Sequence, residues 1–274
     1  MASKIKISLR NVSRTFVDAQ GGKIEALRDV SFDVEDVYSA DGRDVGEFRV
    51  LLGPSGCGKS TILRQVAGLD RPDSGDVLVD GKPVLGPGRD RGMLFQKYTS
   101  FPWLTVEGNI AYGLKINGVP APERQETVAH LVQAVGLTGF EKAYPDTLSG
   151  GMQQRVAIAR TLALRPPVVL MDEPFGALDA QTRLDMQQLL LKIWDETAST
   201  VLFVTHDVEE ALYMADGVFV MSARPGTIVE DVRIPFARPR DVSVKQTKEF
   251  RELQEHLLDA LRRAPGHGQV RVSI

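Results

Sequence analysis

The chain has 274 residues, 43% hydrophobic and 25% charged, with 25 Gly and 15 Pro; this is the profile of a globular protein of one large domain or two closely joined ones, and it excludes fibres and disordered tracts. Thirty-three Lys+Arg against 36 Asp+Glu leave a formal net charge of −3, so no overall basic field attracts nucleic acid or anionic lipid, and any phosphate binding has to be local. The single cysteine, Cys57, rules out an internal disulfide, the opening MASKIKISLR lacks a secretory h-region, and no charge-free apolar run approaches the ~18 residues that span a bilayer. The expectation is a cytosolic chain that relies on another chain for any membrane crossing.

The short β runs ISL (7–9), ALRDVSFDV (26–34) and FRVLL (48–52), separated by turn-rich DAQGG and SADGRDVG, predict a twisted β layer in front. After FRVLL the period changes: KSTILRQVAGL places Ile62, Leu63, Val66 and Ala67 on one helical face with Gly68 as the stop. Residues 122–165 are helical in pattern. Beyond them VVLM (168–171), VLFVT (201–205) and GVFVM (217–221) are nearly all-apolar runs between amphipathic helical segments, which suits buried parallel strands. Residues 244–263 space Phe250, Leu253, Leu257 and Leu261 by three and four, a helix with one face on the core, and the tail opening at Ala264 is expected to be mobile. The whole reads as an α/β core carrying a β-rich front and a helical insertion.

Three motifs carry chemistry. GPSGCGKST (Gly53, Pro54, Ser55, Gly56, Cys57, Gly58, Lys59, Ser60, Thr61) fits G-x-x-x-x-G-K-[ST] between a strand and a helix. Its glycines let successive N–H groups and the helix N-terminus face phosphate oxygens; Lys59 adds a charge at the β/γ-phosphates and Ser60 a hydroxyl for Mg²⁺. Cys57 holds an unconstrained position and reads as a bystander. VVLMDEP (168–174) is an apolar strand ending in two acids, a poor place for carboxylates unless they meet a cation. Asp172 is the natural Mg²⁺ partner, and Glu173, pointing elsewhere, can reach a water set for attack on the γ-phosphorus. In LSGGMQQR (148–155), Ser149, Gly150 and Gly151 make a hydroxyl-plus-glycine helix start, followed by Val156, Ala159 and Leu162 facing inward. That is a second anion-binding helix N-terminus, or simply an N-cap.

Taken with GPSGCGKST and VVLMDEP, LSGGMQQR resembles the signature sequence of the ATP-binding cassette (ABC) ATPases, and the resemblance extends from about residue 5 to residue 262. It implies an α/β P-loop ABC ATPase core with an N-terminal antiparallel β subdomain and a helical signature subdomain at about 97–165. The implied ATPase domain covers 1–241 and a C-terminal helix 242–263, with no further domain after it. By the same resemblance, Ser149, Gly150, Gly151, Met152 and Gln153 contact the ATP held by a second copy, Gln96 in MLFQK is the Q-loop glutamine near Mg²⁺ and the attacking water, and Asp179 in GALDA is the D-loop. His206 in VTHD is the switch histidine at the γ-phosphate; a lone strand-end His is more often structural, and here its companions favour the phosphate role. Phe16 in SRTFVD stands where the family stacks an aromatic on adenine, with a core Phe as the alternative. His130, His256 and His267 have no such company and are given no role.

The aromatic-rich FQKYTSFPWLTVEGNIAYGL (95–114), with Tyr98, Phe101, Trp103 and Tyr112, reads either as core or as a groove for a partner helix beside the Q-loop. Together with GPGRDRGMLFQ (86–96) and VFVMSARPGTIVEDVRIPFARPRD (218–241) it resembles the importer cassettes for nitrate, sulfonates and taurine. That implies Mg²⁺-dependent ATP hydrolysis by a homodimer of cassettes, two transmembrane permease subunits, an extracytoplasmic solute-binding protein, no nucleic acid, and a peripheral position on the cytoplasmic face of the cell membrane. A non-transport ABC ATPase or ATP-dependent scaffold is the alternative. One departure is an extra loop, about Asp36 to Val45, between two strands that the family joins by a short turn.

Overall fold

The computed structural model describes residues 4–36, 46–96, 100–197 and 199–264. In chain order the elements are strands β1 (Lys4–Val17), β2 (Lys23–Asp36) and β3 (Phe48–Leu52), helix α1 (Lys59–Val66), strands β4 (Ser74–Val79), β5 (Lys82–Pro83) and β6 (Arg91–Leu94), and helices α2 (Val106–Ile116), α3 (Ala121–Ala134) and α4 (Gly150–Leu162). Strand β7 (Val168–Asp172), helix α5 (Ala180–Thr197), strand β8 (Thr200–Thr205), helix α6 (Val208–Met214), strands β9 (Gly217–Met221) and β10 (Ile228–Arg233) and helix α7 (Lys248–Arg263) follow. The chain divides into two compact units, residues 1–88 with 200–274, and residues 89–199.

The first unit contains an antiparallel sheet in the order β2-β1-β4-β5. The two long front strands turn at Asp18, whose Oδ1 accepts the N–H groups of Gln20 (2.9 Å) and Gly22 (2.7 Å). Its second layer is parallel at the centre: β3 lies between β8 and β9, with Leu52 level with both Thr205 and Val220, and β10 returns antiparallel on β9. The strands FRVLL, TVLFVT and GVFVM are buried along their whole length, as apolar runs in a parallel layer require. Arg49 interrupts the apolar run and is nonetheless 1% exposed, its guanidinium lying 3.8 Å over the Phe219 ring and paired with Asp231. Gly217 sits opposite it in register, where a Cβ would come within 1.9 Å of Arg49 Nη1, so the glycine is the space the arginine occupies.

In the second unit β6 and β7 pair in parallel, with Leu94 level with Met171. Helix α2 starts at Thr105, whose Oγ1 accepts the Gly108 N–H (3.2 Å), and it buries Val106, Ile110 and Leu114 on one face. The C-terminal helix of the first unit begins at Lys248 rather than 244, because residues 242–246 form a 3-10 turn and the Thr247 hydroxyl caps the helix at the Phe250 N–H (3.2 Å). Phe250 and Leu257 are buried, Leu253 and Leu261 half-buried. The expected loop at 37–45, Tyr98, His267 and the tail beyond Ala264 lie outside the described residues.

Helix α6, which follows His206, is fixed at its C-terminal end by Arg240. The arginine's Nη1 donates to the carbonyls of Leu212 (3.4 Å), Tyr213 (3.1 Å) and Ala215 (2.6 Å). Burial and the neighbouring Arg238 press its pKa down to about 10, opposed by Asp216, so it stays charged at neutral pH. Replacing Arg240 by Ala strips those carbonyls of a buried donor and leaves Asp216 with one cation fewer; the expected loss is about 3 kcal/mol of stability, seen as a lower urea midpoint at an unchanged slope.

Candidate functional site

The first unit assembles the phosphate loop. Because Leu52 of β3 pairs with Thr205 of β8, the loop that leaves β3 at Gly53 and the segment that leaves β8 at His206 emerge at the same carboxyl edge of the parallel strands, where α/β proteins bind ligands. The loop turns through left-handed backbone at Gly56 (φ 77°) and Gly58 (φ 105°), the latter the N-cap of α1. A Cβ on Gly58 would come within 2.5 Å of Leu27 Cδ2 and 2.9 Å of the Ala26 carbonyl, so the loop lies directly against β2.

Lys59 is only 4% exposed, and its Nζ donates to the carbonyls of Gly53 (2.8 Å) and Pro54 (3.0 Å). The ammonium is thus folded back across the mouth of the loop, onto its opening carbonyls. Ser60 follows it, half-buried at the helix start. Cys57 is buried. His206 is exposed, and Asp207 next to it caps α6 through the N–H groups of Glu209 (2.9 Å) and Glu210 (3.1 Å). Phe16 is 38% exposed, which removes the core alternative, and the Arg14 guanidinium lies 4.7 Å over its ring. Arg14 is itself anchored on Asp70 (2.8 Å) and Asp73 (2.7 Å). The Thr15 N–H, and after it Arg14, hold the Asp73 carboxyl below its ordinary pKa.

The second unit assembles the acids. Parallel pairing of Leu94 with Met171 brings Gln96, exposed after β6, and Asp172 and Glu173, at the end of β7, to one strand edge. Asp172 is buried and Glu173 half-buried; the Glu173 backbone sits in the left-handed region at φ 43°, closed by the Gly176 N–H on its carbonyl (3.2 Å). Ser149 caps α4, its Oγ accepting from the Met152 N–H (3.3 Å), while Gln153 braces the same turn through the carbonyls of Pro145 (2.8 Å) and Leu148 (3.2 Å). Ser149 and Gly150 are exposed, so that helix start presents bare backbone. Asp179 is an exposed cap of α5 that accepts the Thr182 N–H (3.1 Å); the Thr182 side chain, and after it this N–H, lower its pKa.

In the first unit the glycine-walled loop, with its buried ammonium and the Ser60 hydroxyl, fits a nucleotide phosphate chain; in the second, the buried Asp172 carboxylate is of the kind that holds a hard cation. Among the described residues no group of three or more His, Cys, Asp or Glu is placed to hold a metal ion.

A strand, a glycine loop closing on a buried lysine, and a helix define a P-loop nucleotide-binding α/β protein. A family model described as ABC transporter matches residues 43–176. An uncharacterized ABC transporter ATP-binding protein of Methanocaldococcus jannaschii is 50% identical over 94% of this chain and 92% of its own length. A nitrate import ATP-binding protein of Synechocystis sp. is 44% identical over 93% and 95% respectively, and a taurine import ATP-binding protein of Roseobacter denitrificans 45% identical over 91% and 88%. Among solved structures, the dimeric ATP-binding cassette MJ0796 in a post-hydrolysis state bound to ADP and Pi aligns with a TM-score of 0.71 and 32% identity, covering 84% of this chain and 100% of that one. The chain belongs to the ABC transporter family, has its cassette fold, and is an ATP-binding ATPase.

Sequence reasoning passed over two side chains of this site. Arg14 offered only the spacing R-x-F to find it. Arg224, whose Nε and Nη2 donate to the Gly56 carbonyl (3.1 and 3.0 Å), lies in a segment used only for its likeness to importer cassettes.

Proposed function

We propose that this ATPase is the energy-coupling subunit of a membrane importer for a small anion such as nitrate, a sulfonate or taurine. The observation that carries the proposal is its 44% and 45% identity to nitrate and taurine import ATP-binding proteins along nearly all of both chains. The working form is a homodimer in which the P-loop of one copy and Ser149, Gly150, Gly151, Met152 and Gln153 of the other enclose ATP. A single copy of each motif per chain supports this, as does the dimeric state of the solved neighbour. Residues 1–241 act as the ATPase domain, about 97–165 as its helical subdomain, and 242–263, α-helical from Lys248, as a C-terminal addition. Among the described residues no helix is long and apolar enough to cross a membrane; two permease subunits supply the crossing, a solute-binding protein delivers the anion from outside, and the cassettes sit on the cytoplasmic face. No nucleic acid takes part.

In this mechanism Phe16 stacks on adenine and residues 53–61 hold the phosphates with backbone N–H groups and the Lys59 ammonium. Ser60, Gln96 and Asp172 would hold Mg²⁺, which would offset charge on the β- and γ-phosphates. Glu173 accepts the proton of the attacking water, Gln96 helps to orient that water, and His206 with Ser149 of the second copy stabilises charge that develops on the γ-phosphate. Asp179 lies at the contact between copies. Closure of the dimer on ATP and its reopening after hydrolysis move the permeases.

The permease seat is the aromatic patch of the second unit. Phe101 packs on Trp103 (5.4 Å) and Tyr112 (4.5 Å) with the Arg160 guanidinium 5.0 Å over its ring, while Trp103 remains 68% exposed. A solvent-facing tryptophan over a braced aromatic floor is the composition of an interface anchor, not of a core. Trp103→Ala is expected to weaken permease capture about 30-fold, the effect of a 2 kcal/mol anchor. The function itself is tested by affinity capture of the tagged chain from detergent-solubilised native membranes with mass spectrometry. Co-purification of a polytopic protein supports the importer, and recovery of only soluble proteins or nucleic acid overturns it.

A further inference from the structure

The outer wall of the phosphate loop is a segment to which neither the motifs nor the relatives assign a role, residues 221–226 between β9 and β10. Arg224 places two donors, Nε and Nη2, on the single carbonyl of Gly56 (3.1 and 3.0 Å). Two residues on, Gly226 lies so close that a Cβ there would fall 2.0 Å from the Cys57 carbonyl. Gly226 is fastened in turn to β2, its N–H donating to the Ala26 carbonyl (2.9 Å) and its carbonyl accepting the Arg28 N–H (3.1 Å). The first loop residue meets the same wall, since a Cβ on Gly53 would come within 3.0 Å of Met221 Cβ.

Two successive carbonyls of the loop, Gly56 and Cys57, therefore both face this wall. In a trans peptide the C=O and N–H point in opposite directions, so drawing these carbonyls outward aims the N–H groups of Cys57 and Gly58 toward the concave side of the loop. The Cys57 N–H accordingly reaches back to the Pro54 carbonyl across the loop (3.3 Å). Inward N–H groups on consecutive residues are what a phosphate-binding nest consists of.

We infer that Arg224 is a positioning residue for nucleotide binding: it pins the Gly56 carbonyl outward, presets the loop's N–H groups for phosphate, and adds a cation beside them. This deepens the ATP-binding reading and rests on it. The role is distinct from Lys59, which reaches the loop's opening carbonyls from inside, whereas Arg224 acts from outside on the bend. It belongs to binding and not to the chemical step, because its contacts are to the backbone of the phosphate loop.

The test uses the full chain with Mg-ATP as probe, comparing Arg224→Ala and Arg224→Lys with the parent. Loss of a charge-assisted contact to the loop is expected to raise both the calorimetric Kd and the KM for ATP about tenfold in Arg224→Ala, with kcat within about threefold of the parent. Arg224→Lys should fall between the two, since an ammonium keeps the charge but does not set two donors on one carbonyl in a fixed plane. Arg224 is exposed, so the thermal midpoint without nucleotide should match the parent's, which separates loop pre-organisation from general loosening. Unchanged Kd and KM in Arg224→Ala, or a fall in kcat at constant KM, would overturn the role while leaving ATP binding by the parent intact. Failure of the parent itself to bind ATP would overturn the nucleotide reading, and this role with it.

Discussion

Glu173→Gln is expected to bind ATP as tightly as the parent chain and to lose turnover by about 10³-fold, the worth of a positioned general base. The substitution keeps the size of the side chain and the turn that aims it. That turn is unusual: Glu173 occupies left-handed backbone at φ 43°, where a residue other than glycine costs on the order of 1 kcal/mol, and the bend is closed by the Gly176 N–H on the Glu173 carbonyl. A strained glutamate directly after a buried aspartate separates the two carboxylates, Asp172 staying in line with the strand and Glu173 turned out of it. With the proton acceptor gone and the phosphate loop untouched, the ATP-bound form has no exit, so a stable dimer should accumulate on size-exclusion chromatography in Mg-ATP. Steady-state hydrolysis near the parent rate would remove Glu173 from the general-base role.

The strand-loop-helix of the phosphate site and the buried parallel strands were legible in the sequence because a single requirement wrote each of them: glycine where φ is positive at Gly56 and Gly58, apolar residues throughout where both faces of a strand are covered. The runs FRVLL, VLFVT and GVFVM lie within buried strands that the structure confirms. Helix α2 was harder to see. Its Thr105 cap and the apolar stripe Val106, Ile110, Leu114 are ordinary helical signals, but they sit inside a stretch whose aromatic residues suggested either core or groove. Exposure separates core from surface, and exposure is a tertiary property: Phe16 and Trp103 could each be read as core until the surrounding chain was in place.

The charges inside the fold were less accessible. Nothing local marks Arg49 as a core residue, because its burial depends on Gly217 across the sheet and on the Phe219 ring, both far along the chain. Arg240 and Arg224 are similar cases. One fastens the last carbonyls of α6 and the other a bend of the phosphate loop, and each contact joins residues distant in sequence. Motif reading finds groups that must lie close together along the chain; it passes over side chains recruited to hold those groups from elsewhere. The two sets of candidate residues follow the same rule, since strand register accounts for His206 beside the phosphate loop and for Gln96 beside Glu173.

Lys59→Ala is expected to raise the Kd for ATP about 100-fold, the loss of a charge-assisted pair of contacts to phosphate. The direction follows from where the ammonium lies. At 4% exposure, with its Nζ on the Gly53 and Pro54 carbonyls, Lys59 is already desolvated before any ligand arrives, so turning its ammonium to phosphate oxygens adds charge-charge attraction at little further desolvation cost. A small effect is expected on the nucleotide-free chain, because removing a buried cation relieves its desolvation while the groups it bonds lose a donor, and the two changes oppose each other. Thermal unfolding with and without Mg-ATP reads both terms at once. The parent's midpoint should climb with ATP concentration as binding to the folded state requires, whereas the Ala variant's should start close to the parent's and stay nearly flat over the same range. An equal rise in both proteins would show that the loop holds phosphate without Lys59, and would transfer the binding energy to the backbone N–H groups that Arg224 sets in place.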